Sequence, residues 1–121
     1  MGDFRKLKVW MKAKELAVYI YQITKSGEIS KDFGLRDQMR RAAVSISSNI
    51  AEGDRLNSNP QAIRHFFIAR GSVAELYTQA MIAYEIEYIS RDIFEKIEKE
   101  YNVISSMLTK LIQARYKSPN L

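Results

Sequence analysis

The fold is decided by the stretch QMRRAAVSISSNIAEG, which occupies positions 38–53. Its apolar and small residues recur at helical spacing, and one face of the helix comprises Leu35, Met39, Ala42, Ala43, Ile46, Ile50 and Gly53. The opposite face carries Val44, Ser47, Ser48 and Ala51, where a solvated helix normally shows Lys and Glu. Small residues on both sides predict a helix that neighbours approach closely from two directions, inside a bundle, an assembly, or both.

Three further helices follow from the hydrophobic periodicity, so that the four helices lie at about 8–24, 35–55, 60–87 and 91–116. Local signals support these ends: Gly27 suits the left-handed conformation that follows a helix. Asn59 and Pro60 are typical of an N-cap followed by proline at the first helical position, and Ser90 is a good N-cap for the last helix.

Short links between the last three helices imply antiparallel neighbours. The sequence therefore predicts an all-α, antiparallel, up-down-up-down four-helix bundle that forms one domain over 1–121. In the first connection, at 28–34, we expect the ring of Phe33 to pack against the end of the bundle.

Composition limits the cellular setting. The 121 residues include no cysteine, which removes disulfides, thiolate metal sites and cysteine nucleophiles. The first residues contain no apolar signal segment, and the longest apolar runs are far shorter than a membrane span. We therefore expect a soluble, cytoplasmic protein with no membrane partner.

The third helix is apolar around more of its circumference than a monomeric bundle requires, which predicts that it also meets another copy of the chain. Arg70 lies within this apolar arc, and an unpaired buried charge is costly. One interpretation is a structural polar network in which Arg70 bonds to Glu52, Asn49 and Glu75. The alternative is that the Arg70 side chain extends along its methylenes to the surface.

The sequence gives little support for a catalytic site or a metal site. No nucleophile or base accompanies Arg70 or Glu52, and His65 is the only histidine, so neither a triad nor a histidine metal site can be assembled. The carboxylates have no Glu-x-x-His companion, which argues against a di-iron bundle site. We expect no enzyme activity, no metal and no cofactor, and we expect His65 to be a solvated residue.

Charge is the only property of individual residues that indicates a binding partner. The formal net charge is +5, and basic residues gather near both termini. In an up-down-up-down bundle the start of the first helix and the end of the fourth share one end. The candidate nucleic-acid contacts are Arg5, Lys6, Lys8, Lys12, Lys14, Lys110, Arg115 and Lys117. Such a cluster would attract phosphates without reading sequence; alternatively, these charges serve ordinary solvation of helix ends.

Several motifs, in order along the chain, carry a family resemblance. They are Phe4-x-x-Leu7-x-Val9-Trp10, Phe33-Gly34-Leu35-x-x-Gln38-Met39-Arg40-Arg41-Ala42-Ala43-x-Ser45-Ile46, Asn49-Ile50-Ala51-Glu52-Gly53 and Ala69-Arg70-Gly71-Ser72-x-x-Glu75-Leu76. The chain resembles, over about 4–116, the four-helix-bundle proteins encoded by intervening sequences in bacterial 23S ribosomal RNA genes, also labelled the S23 ribosomal protein family.

The resemblance implies a homopentameric, barrel-like assembly. It also implies a distant likeness to the accessory protein of diversity-generating retroelements, which partners a reverse transcriptase and binds nucleic acid. Two functions therefore stay open. The first is an oligomeric, non-enzymatic accessory protein that binds RNA or DNA through basic helix ends. The second is a structural or protein–protein interaction module with no nucleic-acid role.

Overall fold

The structure, a computed structural model, describes residues 3–56 and 58–117, and its regular elements there are all helical. Four α-helices carry the fold, with one 3₁₀ turn before α1 and another after it. The α-helices are α1 (Lys8–Ile23), α2 (Phe33–Arg55), α3 (Asn59–Glu85) and α4 (Arg91–Lys117), and the 3₁₀ turns are Phe4–Lys6 and Glu28–Ser30. The predicted all-α four-helix fold is confirmed.

Contacts between side chains establish that each helix runs antiparallel to its neighbours. Between α2 and α3, Ser45 bonds to Ser72 and Asn49 to His65, and between α3 and α4, Arg70 bonds to Thr109 and Tyr77 to Glu98, so one number falls as the other rises. Thr24 at the end of α1 bonds to Arg40 near the start of α2. Lys12 and Tyr19 of α1 contact Glu100 and Lys96 of α4, respectively. The order around the bundle is therefore α1, α2, α3 and α4, with α4 back against α1. One end of the bundle gathers the start of α1, the end of α2, the start of α3 and the end of α4.

The core confirms the face predicted for α2. Its small and branched residues are completely or almost completely buried, namely Met39, Ala42, Ala43, Ile46, Ile50 and Gly53. They pack against the buried stripe of α3, which comprises Ala62, Phe66, Ala69, Val73, Leu76 and Ala80. Burying this much aliphatic surface at about 25 cal/mol per Å² is the main force that holds the helices together.

The start of α2 differs from the prediction. Asp32 caps the helix, because its Oδ1 accepts a hydrogen bond from the backbone N–H of Leu35 at 3.2 Å. The helix consequently begins at Phe33, two residues early, and the Phe33 ring is 65% exposed. The expectation that this ring packs against the bundle end was wrong; instead the guanidinium of Arg36 lies 4.7 Å from its centroid.

Both ends of α3 also differ slightly from the prediction. The N-cap is Ser58 rather than Asn59, so Asn59 is the first helical residue. At the other end the helix stops at Glu85, and Glu87 adopts a left-handed conformation with φ of 66°. The backbone N–H of Tyr88 then donates to Ala83 O at 2.8 Å, a closing pattern common after helix ends.

Ser90 caps α4 as predicted, with its Oγ accepting from the N–H of Ile93 at 3.2 Å. Within the described ranges, no helix combines the length and the apolar character needed to cross a lipid bilayer.

Candidate nucleic-acid interface

The start of α1 and the end of α4, which both carry basic residues, lie side by side, as the antiparallel order requires. A shallow groove of about 320 Å³ lies between the start of α1 and the end of α4, and Lys8 and Lys110 both line it. The prediction that the start of the first helix and the end of the fourth share one end of the bundle is therefore confirmed. The eight basic residues proposed from sequence are not equivalent there, however.

Three of these basic residues are paired with carboxylates, and two of the pairs, those of Arg5 and Lys12, lie at the surface. Arg5 binds Asp3 through two bonds, Nε to Oδ1 at 3.0 Å and Nη2 to Oδ2 at 3.1 Å. The hydrogen bond from Arg5 lowers the pKa of the Asp3 carboxyl, so this acid stays ionised. Lys12 lies 3.5 Å from Glu100 of α4. Such half-exposed pairs contribute little stability, but they reduce the charge available to a phosphate.

Arg115 is occupied within the fold, which corrects its assignment as a phosphate contact. Its Nη2 lies 3.3 Å from Oδ1 of Asp54, and its Nη1 donates to Oδ1 of Asn59 at 3.3 Å. The guanidinium also lies 5.5 Å from the ring centroid of Phe66. Only 19% of the Arg115 side chain is exposed, because α4 turns this residue toward the ends of α2 and α3.

The remaining candidates stay accessible. Lys6, Lys8, Lys14, Lys110 and Lys117 are all exposed. Lys14 lies further along α1, where its Nζ is 5.9 Å from the ring centroid of Trp10.

Sequence reasoning did not include Arg55 among the basic residues at this end of the bundle. Arg55, the last residue of α2, borders an open cleft together with Asp3, Phe4 and Arg5. Its position could have been found from topology alone, because an antiparallel α2 must end where α1 begins.

The polar contacts of Arg70 are also different from those predicted. Its Nη1 donates to Oγ1 of Thr109 on α4 at 3.2 Å, and its guanidinium lies 4.8 Å from the centroid of Phe67. Arg70 faces α4, whereas Glu52 and Asn49 lie on α2 at the other side of α3, and Glu75 is exposed. The predicted network around Arg70 is therefore wrong in its partners.

A different polar network joins α2 to α3. Asn49 donates through Nδ2 to the carbonyl of Ser45 at 2.9 Å, which turns its Oδ1 toward His65. His65 Nδ1 then donates to that oxygen at 2.9 Å and lies 3.5 Å from Glu52. Ser45 continues the network to Ser72 at 2.9 Å. His65 is thus half-buried, so the expectation of a solvated histidine was wrong.

The exposed lysines give one end of the bundle positive charge that can attract anions. Across residues 3–56 and 58–117, no group of three or more His, Cys, Asp or Glu residues is placed to hold a metal ion.

Comparisons with known proteins agree with this architecture. Residues 5–110 match the family described as 23S rRNA-intervening sequence protein. The fold is similar to the crystal structure of a protein with unknown function from the S23 ribosomal protein family of Bacteroides thetaiotaomicron, with a TM-score of 0.78 and 28% identity. That alignment covers 86% of this chain and 97% of the other. A search of curated proteins finds no match.

Proposed function

Because the chain belongs to the 23S rRNA-intervening sequence protein family, we propose that it is a non-enzymatic, homo-oligomeric accessory protein that binds RNA or DNA through backbone phosphates. The observation that carries this proposal is the group of exposed basic residues at one end of the bundle. We call this group the basic end, and it comprises Lys6, Lys8, Arg55, Lys110 and Lys117.

The electrostatics of the basic end support the proposal. Two acidic residues at the same end, Asp3 and Asp54, are already paired with Arg5 and Arg115. Glu52, in the last turn of α2, is an exposed carboxylate near His65, and the five residues of the basic end outnumber it. A surface of this kind concentrates polyanions and binds them in a salt-dependent manner with little sequence preference.

Reversing charge at the basic end tests the binding. Lys6, Lys8 and Lys110 changed together to Glu are expected to lower the affinity for a 20-base-pair DNA duplex more than tenfold at about 50 mM salt. Loss of three phosphate contacts should also reduce the log–log salt slope by about 2.7, at about 0.9 per contact. Fluorescence anisotropy at two or more salt concentrations measures both quantities.

A charge-matched variant provides the control. Lys25, Lys31 and Lys99 are exposed and lie away from the basic end, and changing them to Glu alters the net charge by the same amount. We expect this control to change the affinity less than about threefold. Equal losses in the two variants would refute the location, and no binding to the unmodified protein at low salt would favour the structural or interaction module.

Self-association is the second part of the proposal, and the exposed side of α3 supports it. Ile68 and Ile82 are 43% and 48% exposed there. Gly71 lies between them, and a Cβ added to Gly71 would meet nothing within 4 Å in this chain. Glycine inside a helix costs about 1 kcal/mol relative to alanine, and close approach by a second copy would explain it. The family resemblance favours five copies, and repeated basic ends would strengthen binding through avidity.

Light scattering tests the assembly. We expect a mass near five times the 14.0 kDa protomer and a shift toward the protomer mass in Ile82→Glu, because a buried unpaired carboxylate disfavours the interface. Val18 on α1 is similarly exposed, at 50%, so Val18→Glu is the matched control and should leave the mass unchanged. A protomer mass for the unmodified protein at micromolar concentration would contradict the proposal.

A further inference from the structure

The groove at the basic end has a composition that simple phosphate attraction does not require. Its lining consists of four apolar residues and two lysines, namely Leu7, Val9, Met107, Leu111, Lys8 and Lys110. The apolar members form the floor, in which Val9 is buried and Met107 and Leu111 are half-buried. The groove therefore joins an accessible apolar surface to positive charge on both α1 and α4.

We propose that this groove binds single-stranded RNA or DNA in preference to a duplex, with a base resting on the apolar floor while Lys8 and Lys110 hold adjacent phosphates. This inference rests on the proposed nucleic-acid function and specifies the kind of nucleic acid. Neither lysine forms an ion pair with a carboxylate of the described residues, so both charges are free to meet phosphates.

The preference for a single strand follows from what each nucleic acid exposes. In a duplex the bases are stacked and paired, so the lysines could bind phosphates but the floor would remain in water. In a single strand an unstacked base can cover Met107 and Leu111, and removing that apolar surface from water adds affinity that salt does not screen. Because the six lining side chains offer no hydrogen-bonding group besides the ammoniums, we expect little base preference.

The size of the groove argues against the other anionic occupant, an acidic amphipathic helix. A helix bound in a groove usually anchors side chains from i to i+7, which spans about 10 Å at 1.5 Å per residue. The floor on α4 extends from Met107 to Leu111, or about 6 Å by the same rise. This length accommodates a nucleotide better than two turns of a helix.

The test compares a 20-nucleotide oligothymidylate with the oligoadenylate–oligothymidylate duplex of the same length, using fluorescence anisotropy. At about 200 mM salt we expect the single strand to bind at least fivefold more tightly. Met107→Gln should remove most of this difference by making the floor polar while leaving duplex affinity unchanged. Met11, which is 37% exposed on α1 outside the groove, gives the matched control Met11→Gln, with no expected effect on either ligand.

A measurement on the unmodified protein keeps the test independent of variant folding. An oligothymidylate that contains 4-thiothymidine should crosslink under ultraviolet light to peptides with Leu7, Met107 or Leu111, identified by mass spectrometry. Crosslinks confined to other surfaces would overturn the inference.

The outcomes separate this inference from the proposed function. Equal affinity for both strand forms, with no selective effect of Met107→Gln, overturns the single-strand preference and leaves phosphate binding in place. No binding of either form at about 20 mM salt overturns both. Displacement of the oligothymidylate by polyglutamate at equal charge concentration would instead identify an acidic polypeptide as the occupant, and would also overturn the inference.

Discussion

Arg115→Ala is expected to lower the free energy of unfolding by about 3 kcal/mol, although Arg115 lies near the end of the last helix. Its partner Asp54 is only 6% exposed, and Asp54 Oδ2 has no hydrogen-bond partner among residues 3–56 and 58–117. The carboxylate therefore depends on Arg115 for its principal compensating charge. Removing one member of a buried ion pair typically costs about 3–5 kcal/mol, and we expect the lower value because 19% of the Arg115 side chain is exposed.

Urea denaturation of the variant and the unmodified protein measures this difference. Arg64 is an exposed arginine near the same end of the bundle, so Arg64→Ala is the matched control and should change stability by less than about 0.5 kcal/mol. Adding Asp54→Asn to Arg115→Ala should recover part of the loss, because the stranded charge is then removed. A loss below about 0.5 kcal/mol in Arg115→Ala would show that the pair contributes no stability to the fold.

The architecture was predictable because it depends on local patterns. The helical spacing of Met39, Ala43, Ile46 and Ile50 identified a core face, and each of these residues is 0% exposed. Helix ends were less predictable, since they depend on single capping contacts. The hydrogen bond from the Leu35 N–H to Asp32 Oδ1 caps α2 two residues before its predicted start, so that Phe33 lies in the helix instead of the expected loop.

The role of Arg115 could not be read from its neighbours in sequence, because its partner Asp54 lies 61 residues away. A signal was nevertheless present. Ile104, Leu108 and Ile112 form the buried stripe of α4, and position 115 continues that stripe at helical spacing. A basic residue on the core side of a helix is better interpreted as a buried pair than as part of a charged surface.

The partners predicted for the Arg70 side chain are wrong for a related reason. The apolar arc predicted for α3 includes Phe67, which is 41% exposed. Counting Phe67 moves the apparent centre of the buried face toward Arg70. The centre lies instead along Ala69 and Val73, so that Arg70 falls beside α4 and reaches Thr109. Sequence alone could not separate residues that are buried in the protomer from apolar residues on its surface.

Gly53→Ala is expected to destabilise the protein by about 2 kcal/mol, even though alanine favours a helix by about 1 kcal/mol over glycine. An added Cβ would lie 2.6 Å from Cε1 and 3.0 Å from Cδ1 of Phe66, and 3.1 Å from the backbone oxygen of Ala62. The Phe66 ring is 0% exposed, with Arg115 above it. It therefore has little room to move, and overpacking of a dense core costs about 1–3 kcal/mol.

Thermal and urea unfolding of Gly53→Ala should both report this loss. Gly34 provides the matched control, because it lies in the same helix and its added Cβ would meet only Asp32 Oδ1, at an ordinary 3.8 Å. Gly34→Ala should leave stability unchanged or raise it by up to about 1 kcal/mol. Combining Gly53→Ala with Phe66→Leu should cost less than the two changes added separately, because the smaller side chain vacates the space that Cβ needs. If Gly53→Ala proved as stable as the unmodified protein, α2 and α3 could separate at little cost, and close approach at Gly53 would not hold these two helices in place.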